Sequence, residues 1–155
     1  MNTNNFKQGI IGGLAGGVIF GMMMWMMGML PMIGKMVGFP NVFAGWIMHL
    51  GISASIGASF AVLLDRFVKS LASGAVTGMI YGAVWWILGP LTLMPLMMGM
   101  GLGVNWNTTA AVNMAPSFMG HAIFGVALGL VYARRTLSHR VTGSDSELKV
   151  LQGEA

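Results

Sequence analysis

Residues 13–28 read GLAGGVIFGMMMWMMG, and residues 74–89 read GAVTGMIYGAVWWILG. Both stretches carry three glycines spaced four residues apart, then a tryptophan, then a further glycine. On an α-helix this spacing places the glycines on one face. A face without side chains lets a second helix approach closely, as helices do in lipid. The two stretches therefore predict two related helical hairpins that pack through glycine faces.

Charged residues are few, and they are unevenly placed along the chain. Of 155 residues, 55% are hydrophobic and 8% are charged, and the mean hydropathy is +0.75. A soluble domain is about 25% charged. No Lys, Arg, Asp or Glu falls in residues 8–34, 36–64 or 70–133. Because about 20 apolar residues cross a bilayer as a helix, these segments predict one, one and two membrane spans.

The predicted fold is all-α: an integral membrane four-helix bundle made of two tandem hairpins in a parallel repeat. Residues 1–140 form a single four-span membrane domain, and the polar residues 141–155 form a disordered cytoplasmic tail. The stretch 99–115, rich in Gly, Asn and Thr, predicts a loop. The predicted spans cover about residues 10–33, 42–64, 70–93 and 116–133.

The basic residues predict the orientation, since Lys and Arg collect on the cytoplasmic side. Lys35 stands alone on one side of the membrane. The other side collects Lys7, Arg66, Lys69, Arg134, Arg135 and Arg140. Both termini are therefore predicted to be cytoplasmic, so the two hairpins run in the same direction. The net charge of +4 reflects these topology signals, and nucleic acid is not an expected partner.

The repeat also extends into the second helix of each hairpin. Aligning His49 with His121 pairs Ser53 with Gly125 and Gly57 with Gly129. The glycines of the repeat are the predicted helix-packing positions, and Trp25 and Trp86 are expected to cover their faces. These packing positions are Gly13, Gly17, Gly21, Gly74, Gly78, Gly82, Gly125 and Gly129.

His49 and His121 are the only histidine, acidic or basic side chains inside the predicted spans. At about 1.5 Å per residue, both lie roughly 7–12 Å below the same membrane face. A facing pair of imidazoles is a reasonable ligand set for a metal or a haem iron. In the alternative reading, each imidazole only hydrogen-bonds a carbonyl or a serine of a neighbouring helix.

Methionine is abundant, at 17 of 155 residues, and crowds the outer ends of spans 1 and 3. Thioethers are soft ligands that suit Cu(I), so Cu(I) and haem are the candidate cofactors. Methionine is also an ordinary flexible apolar residue, and a run such as Met22–Met24 points all round a helix. The crowded positions are Met22, Met23, Met24, Met26, Met27, Met29, Met32, Met36, Met94, Met97, Met98 and Met100.

Several kinds of chemistry are missing from the sequence. The chain has no cysteine, and no Asp or Glu lies in a predicted span, which argues against thiolate metal sites and carboxylate ion relays. No nucleotide-binding loop, Ser-His-Asp set or H-E-x-x-H motif is present. The sequence therefore predicts a protein that is not an enzyme.

The segments GWIMHLGISASIG (45–57) and GHAIFGVALGLVYAR (120–134) resemble a group of small four-span bacterial membrane proteins known as domains of unknown function. The resemblance covers about residues 10–135 and rests on glycines, His49 and His121. It implies a multi-pass protein of the bacterial inner membrane. It implies no established activity, so no functional residue is carried over.

Two functions are consistent with the sequence. In the first, the protein is a non-enzymatic structural or accessory component of the bacterial inner membrane. It would then contact lipid, and a membrane-protein partner or further copies of itself. In the second, it is a soft-metal (copper) or haem binding or transport protein that uses His49 and His121 in the outer half of the bundle.

Overall fold

The computed structural model describes the backbone of residues 3–151 and the side chains of residues 3–139. A 3₁₀ turn, Asp65–Phe67, follows α3, and a π turn, Gly89–Leu93, joins α4 to α5. The α-helices of the described range are α1 (Thr3–Met26), α2 (Leu30–Lys35), α3 (Val42–Leu64), α4 (Leu71–Leu88), α5 (Met94–Met97), α6 (Thr108–Asn113) and α7 (Ala115–Leu151). The segments long and apolar enough to cross a membrane are Thr3–Met26, Val42–Phe67, Leu71–Met97 and Ala115–His139. The chain is therefore an all-α, multi-pass membrane protein.

The first span differs from the predicted residues 10–33 at both ends. It begins at Thr3, and it stops at Met26 because Gly28 adopts a left-handed conformation with φ +69°. The N–H groups of Gly28 and Met29 donate to carbonyls in the last turn of α1, at 3.0 and 2.8 Å. This pair of bonds is a Schellman cap, whose left-handed position suits glycine. The chain then turns, and Pro31 opens the separate helix α2.

The second and third spans begin at side-chain caps. α3 occupies the predicted residues 42–64, and the side chain of Asn41 accepts a hydrogen bond from the Ala44 N–H at 2.9 Å. A capping box between Ser70 and Ser73 starts α4. The third span continues through the π turn to Met97. Pro90 lies in that turn and lacks the N–H that a regular α-helical turn needs.

The last helix is longer than the predicted span 116–133. α7 continues to Leu151, and the disorder of residues 141–155 stays a prediction. No proline follows Pro116 to interrupt the helix. Extending an existing helix fixes the backbone of only one further residue for each hydrogen bond gained. Residues 152–155, which complete the predicted tail, lie outside the described residues.

The stretch 99–115, predicted as a loop, is only partly irregular. Three glycines at its start, Gly99, Gly101 and Gly103, have positive φ angles. The short helix α6 then follows, with the side chain of Asn107 as its N-terminal cap. Asn107 is a typical helix cap and could have indicated this helix, but the glycines before it favoured the prediction of a loop.

The long helices pack in the order α3, α1, α7, α4. α3 and α4 stand at the two ends of this order and barely touch each other. One end of the bundle, here called the basic end, carries Arg66, Lys69, Arg134 and Arg135. The opposite end, here called the methionine end, carries Lys35, α2, α5 and α6.

Glycines bring α1 against α3. A Cβ atom built on Gly13 would overlap the carbonyl oxygen of Ser53 and lie 2.8 Å from the Cα of Gly57. One on Gly17 would lie 2.6 Å from the Ser53 side chain, and one on Gly21 would overlap the ring of Trp46. The two backbones therefore touch along this seam, and side chains on it would push them apart.

A second glycine seam joins α4 to α7. A Cβ on Gly74 would lie 2.7 Å from the carbonyl oxygen of Gly129, and one on Gly78 would overlap that of Gly125. A Cβ on Gly82 would overlap the carbonyl oxygen of His121. The duplication of the hairpin stays a prediction. Three contacts between α1 and α3 have counterparts between α4 and α7 at the positions that the predicted alignment matches. The matched contacts are Gly13–Gly57 with Gly74–Gly129, Gly17–Ser53 with Gly78–Gly125, and Gly21–His49 with Gly82–His121.

The expectation that Trp25 covers a glycine face is wrong. Its side chain is 52% exposed, because Trp46 of α3 already fills the space over Gly21. Trp86 is partly buried and donates to the carbonyl of Met114 at 3.1 Å. The tryptophans of the two stretches therefore do not share one role.

Candidate functional site

A cavity of about 750 Å³ lies at the methionine end, in the gap that α3 and α4 leave between them. We call it the methionine cavity. Phe20 of α1 and Phe124 of α7 line it, together with His49, His121 and seven methionines. These methionines come from distant parts of the chain: Met24, Met29, Met32, Met36, Met48, Met94 and Met97. The open side of the bundle therefore collects thioethers from four separate segments around two imidazoles.

His49 is buried on α3. Its Nε2 lies 2.9 Å from the carbonyl oxygen of Gly17 on α1. A carbonyl only accepts, so Nε2 carries the proton and donates. In the neutral imidazole the lone pair is then on Nδ1. The glycine seam makes this bond possible, because Gly17 lets α3 come close to the α1 backbone.

His121 is partly buried on α7, and its ring has the opposite tautomer. Its Nδ1 donates to the carbonyl of Ser117, one turn earlier, at 2.8 Å. The lone pair is therefore on Nε2. A Cβ built on Gly89 would lie 3.7 Å from this atom, so the π turn of the third span faces the free nitrogen without a side chain.

Phe20 contacts both histidines. Its ring meets His49 edge-to-face with centroids 5.6 Å apart, and it meets His121 in the same manner at 4.8 Å. The two imidazole centroids therefore cannot be farther apart than the sum of these distances. Gly120 makes room for the Phe20 ring, since a Cβ there would overlap it. Sequence reasoning did not single out Phe20, whose only signal was its match to Tyr81 in the repeat.

The second nitrogen of each imidazole is not used by these hydrogen bonds. No hydrogen bond joins His49 Nδ1 or His121 Nε2 to another described residue, and no buried side-chain nitrogen or oxygen in residues 3–139 lacks a partner. Both atoms therefore keep accessible surface, and both residues line the methionine cavity. The alternative reading, a hydrogen bond to a neighbouring helix, therefore holds for His49, whereas His121 bonds a carbonyl of its own helix; neither bond uses the second ring nitrogen.

The donor set determines which metals the cavity suits. Among residues 3–139 no group of three or more His, Cys, Asp or Glu side chains can hold a metal ion. Two imidazoles alone leave a metal site incomplete, and thioethers are the other ligands that line the cavity. Imidazole with thioether suits a soft ion, whereas hard cations need oxygen ligands.

The lining methionines differ in depth. Met97 is 54% exposed and Met32 is 36% exposed, whereas Met24 is 4% exposed. Other members of the predicted methionine crowd, among them Met22 and Met26, lie on the outside of α1. The structure therefore divides the crowd into cavity-lining and outward-facing residues, which the spacing of the runs could not do.

No protein-family model, curated protein or solved structure matches this chain. The resemblance to small four-span bacterial membrane proteins therefore stays a prediction, and the methionine cavity is the feature that bears on function.

Proposed function

We propose that the protein is a non-enzymatic component of the bacterial inner membrane that holds Cu(I) in the methionine cavity through His49 and His121. One observation carries the proposal. Seven methionines from four separate segments line one cavity that His49 and His121 also line. Nothing in the local sequence requires that convergence.

The chemistry of the lining supports Cu(I) as the ligand. Cu(I) favours soft thioether sulfur and also accepts neutral imidazole. The carbonyls of Gly17 and Ser117 fix the tautomer and the plane of each ring through the other nitrogen. In histidine metal sites, the ring nitrogen that does not bind the metal commonly donates a hydrogen bond of this kind.

Haem fits the same lining less well. The methionine cavity has no lysine or arginine in its lining. Two haem propionates would therefore find no cationic partner there, and burying unpaired charge is costly. A single soft cation brings one positive charge and takes its ligands from the side chains already present.

The distribution of basic residues supports an orientation for the site. Lys and Arg concentrate at the basic end, which the positive-inside tendency places in the cytoplasm. The methionine cavity then opens at the periplasmic side, and both termini are cytoplasmic. Large apolar side chains exposed along all four spans face lipid. A membrane-protein partner or a second copy stays a prediction.

The first experiment measures Cu(I) binding to the purified protein. The protein, stripped of metal with a chelator, is titrated with Cu(I) under a reductant in competition with a chromophoric Cu(I) chelator. We expect one ion per chain. The double variant His49→Leu/His121→Leu should bind more than roughly tenfold more weakly. His139→Leu is the matched control, because this third histidine is exposed at the basic end.

A second arm separates cavity methionines from outward-facing ones. Met24→Leu/Met29→Leu/Met94→Leu should weaken Cu(I) binding, since Leu keeps the volume and removes the sulfur. The control triple is Met22→Leu/Met26→Leu/Met79→Leu, whose positions do not line the cavity. Equal affinities for the two triple variants, or full binding by the histidine double variant, would refute the proposed site. A haem absorption band in the purified protein would replace Cu(I) with haem.

A further inference from the structure

We infer that the methionine cavity exchanges its ion only at the methionine end, so that the protein retains Cu(I) and does not conduct it across the membrane. This inference rests on the proposed function and adds the side from which the site is reached. It follows from three features: an approach lined by methionines, a closed floor and an apolar lateral mouth.

The approach from the methionine end is lined by sulfur. Met29, Met32 and Met36 line one side of it, and Met94 and Met97 line the other. Met97 is 54% exposed and Met32 is 36% exposed, whereas Met24 is 4% exposed. An ion that enters at this end therefore meets thioether ligands along the cavity lining.

Below the histidines an aromatic layer of Phe60, Tyr81 and Tyr132 closes the bundle. Phe60 has no exposed surface and meets each tyrosine edge-to-face, with centroids 5.4 Å apart. The hydroxyl groups of Tyr81 and Ser59 are hydrogen-bonded at 2.7 Å, which joins α4 to α3 at the level where their gap ends. Leu128, also without exposed surface, completes this layer. None of these groups offers a free ligand to a soft cation.

The helix seams give no other route towards the basic end. At Gly9 and Gly57, and again at Gly74 and Gly129, a single added carbon would overlap or crowd the facing backbone. There is therefore no room for an ion between α1 and α3 or between α4 and α7 at this depth.

The cavity also has a lateral mouth between α3 and α4. Ile47, Gly51 and Leu93 line the cavity and are exposed on this side. Lipid acyl chains cover that mouth in the membrane, and the free energy of transferring an ion from water into acyl chains is strongly unfavourable. The methionine end is therefore the only side from which a hydrated ion reaches the site.

Reconstituted vesicles test this inference directly. The full chain is placed in phospholipid vesicles that contain a trapped Cu(I)-sensitive dye, and Cu(I) is added outside with a reductant. Orientation is measured in a separate preparation of Lys35→Cys, because the natural chain has no cysteine and an impermeant thiol reagent then reports the methionine end. A Cu(I) ionophore shows that the trapped dye responds.

We expect protein-dependent Cu(I) binding that an external chelator fully recovers, with a lumenal signal equal to that of empty vesicles. A lumenal signal that exceeds empty vesicles and depends on the protein would overturn the inference while leaving the binding site in place. No bound Cu(I) at all would instead refute the proposed function, and the inference with it. The two failures are therefore distinguishable.

Discussion

Replacing Gly78 by alanine tests whether the glycine seam between α4 and α7 holds the bundle together. The added Cβ would overlap the carbonyl oxygen of Gly125, lie 2.9 Å from its carbonyl carbon and lie 3.0 Å from the Cα of Gly129. All three atoms belong to backbone and cannot rotate away. Gly78→Ala should therefore force the two helices apart, although alanine is intrinsically the better helix former.

The size of the effect follows from these distances. An ordinary carbon contact begins near 3.4 Å, so the carbonyl carbon alone requires a separation of about 0.5 Å, and the overlapping oxygen requires a larger one. A gap of roughly 0.5–1 Å between helices already loses a quarter to a half of each dispersion contact. Overpacking of this kind typically costs about 1–3 kcal/mol. We expect Gly78→Ala to lower the free energy of unfolding by about 2 kcal/mol, and Gly78→Leu by more.

Gly51→Ala is the matched control. Gly51 also lies within a helix, but a Cβ there would meet nothing within 4 Å. Its stability should stay equal or rise by up to about 1 kcal/mol, because glycine in a helix interior is unfavourable. Both variants are measured by SDS-induced unfolding in mixed micelles, followed by tryptophan fluorescence. Equal effects of the two substitutions would show that close backbone contact does not stabilise this protein.

Three further predictions concern topology and local stability. Reporter fusions after residues 36, 68, 105 and 150 should lie outside, inside, outside and inside, and a periplasmic signal at 150 would contradict the orientation. Tyr132→Phe should lower the free energy of unfolding by about 2 kcal/mol, because the buried hydroxyl donates to the Asp65 carboxylate at 2.6 Å; an unchanged unfolding midpoint would show that this bond adds nothing. Asn41→Ala should cost about 1 kcal/mol by removing the cap of α3, whereas Met29→Leu should leave stability unchanged in the same assay.

The spans could be predicted because charge is excluded from lipid. Residues 36–64 contain no charged side chain, Asn41 is a cap, and Asp65 follows directly, so the bounds of α3 were readable from the sequence. The end of α7 was not readable in this way. Arg134 and Arg135 mark where the chain leaves the membrane, but they do not stop a helix.

The turn at Gly28 shows a different limit of sequence reasoning. Gly21 and Gly28 look alike in the sequence, yet Gly21 packs under Trp46 and Gly28 breaks the helix. The difference comes from what stands opposite each of them, which is a property of the packed bundle. Local spacing predicts a glycine face but not where the partner helix ends.

The histidine pair was predictable in part. Helix geometry predicted that His49 and His121 lie towards the same membrane face, but it did not predict their common contact with Phe20. The cavity between them exists because α3 and α4 stand at opposite ends of the packing order. No local pattern encodes that gap, so the selection of lining methionines could come only from the structure.

The two glycine faces of α1 also bear on how the protein is made. Gly13 and Gly17 face α3, while Gly12 and Gly16 lie against the backbone carbonyls of Leu128 and Phe124 on α7. The ribosome delivers α1 first and α7 last. The first hairpin can therefore form early, but the α1 face that carries Gly12 and Gly16 contacts lipid until synthesis of α7 is complete. Closure of the bundle therefore waits until α7 has been synthesised.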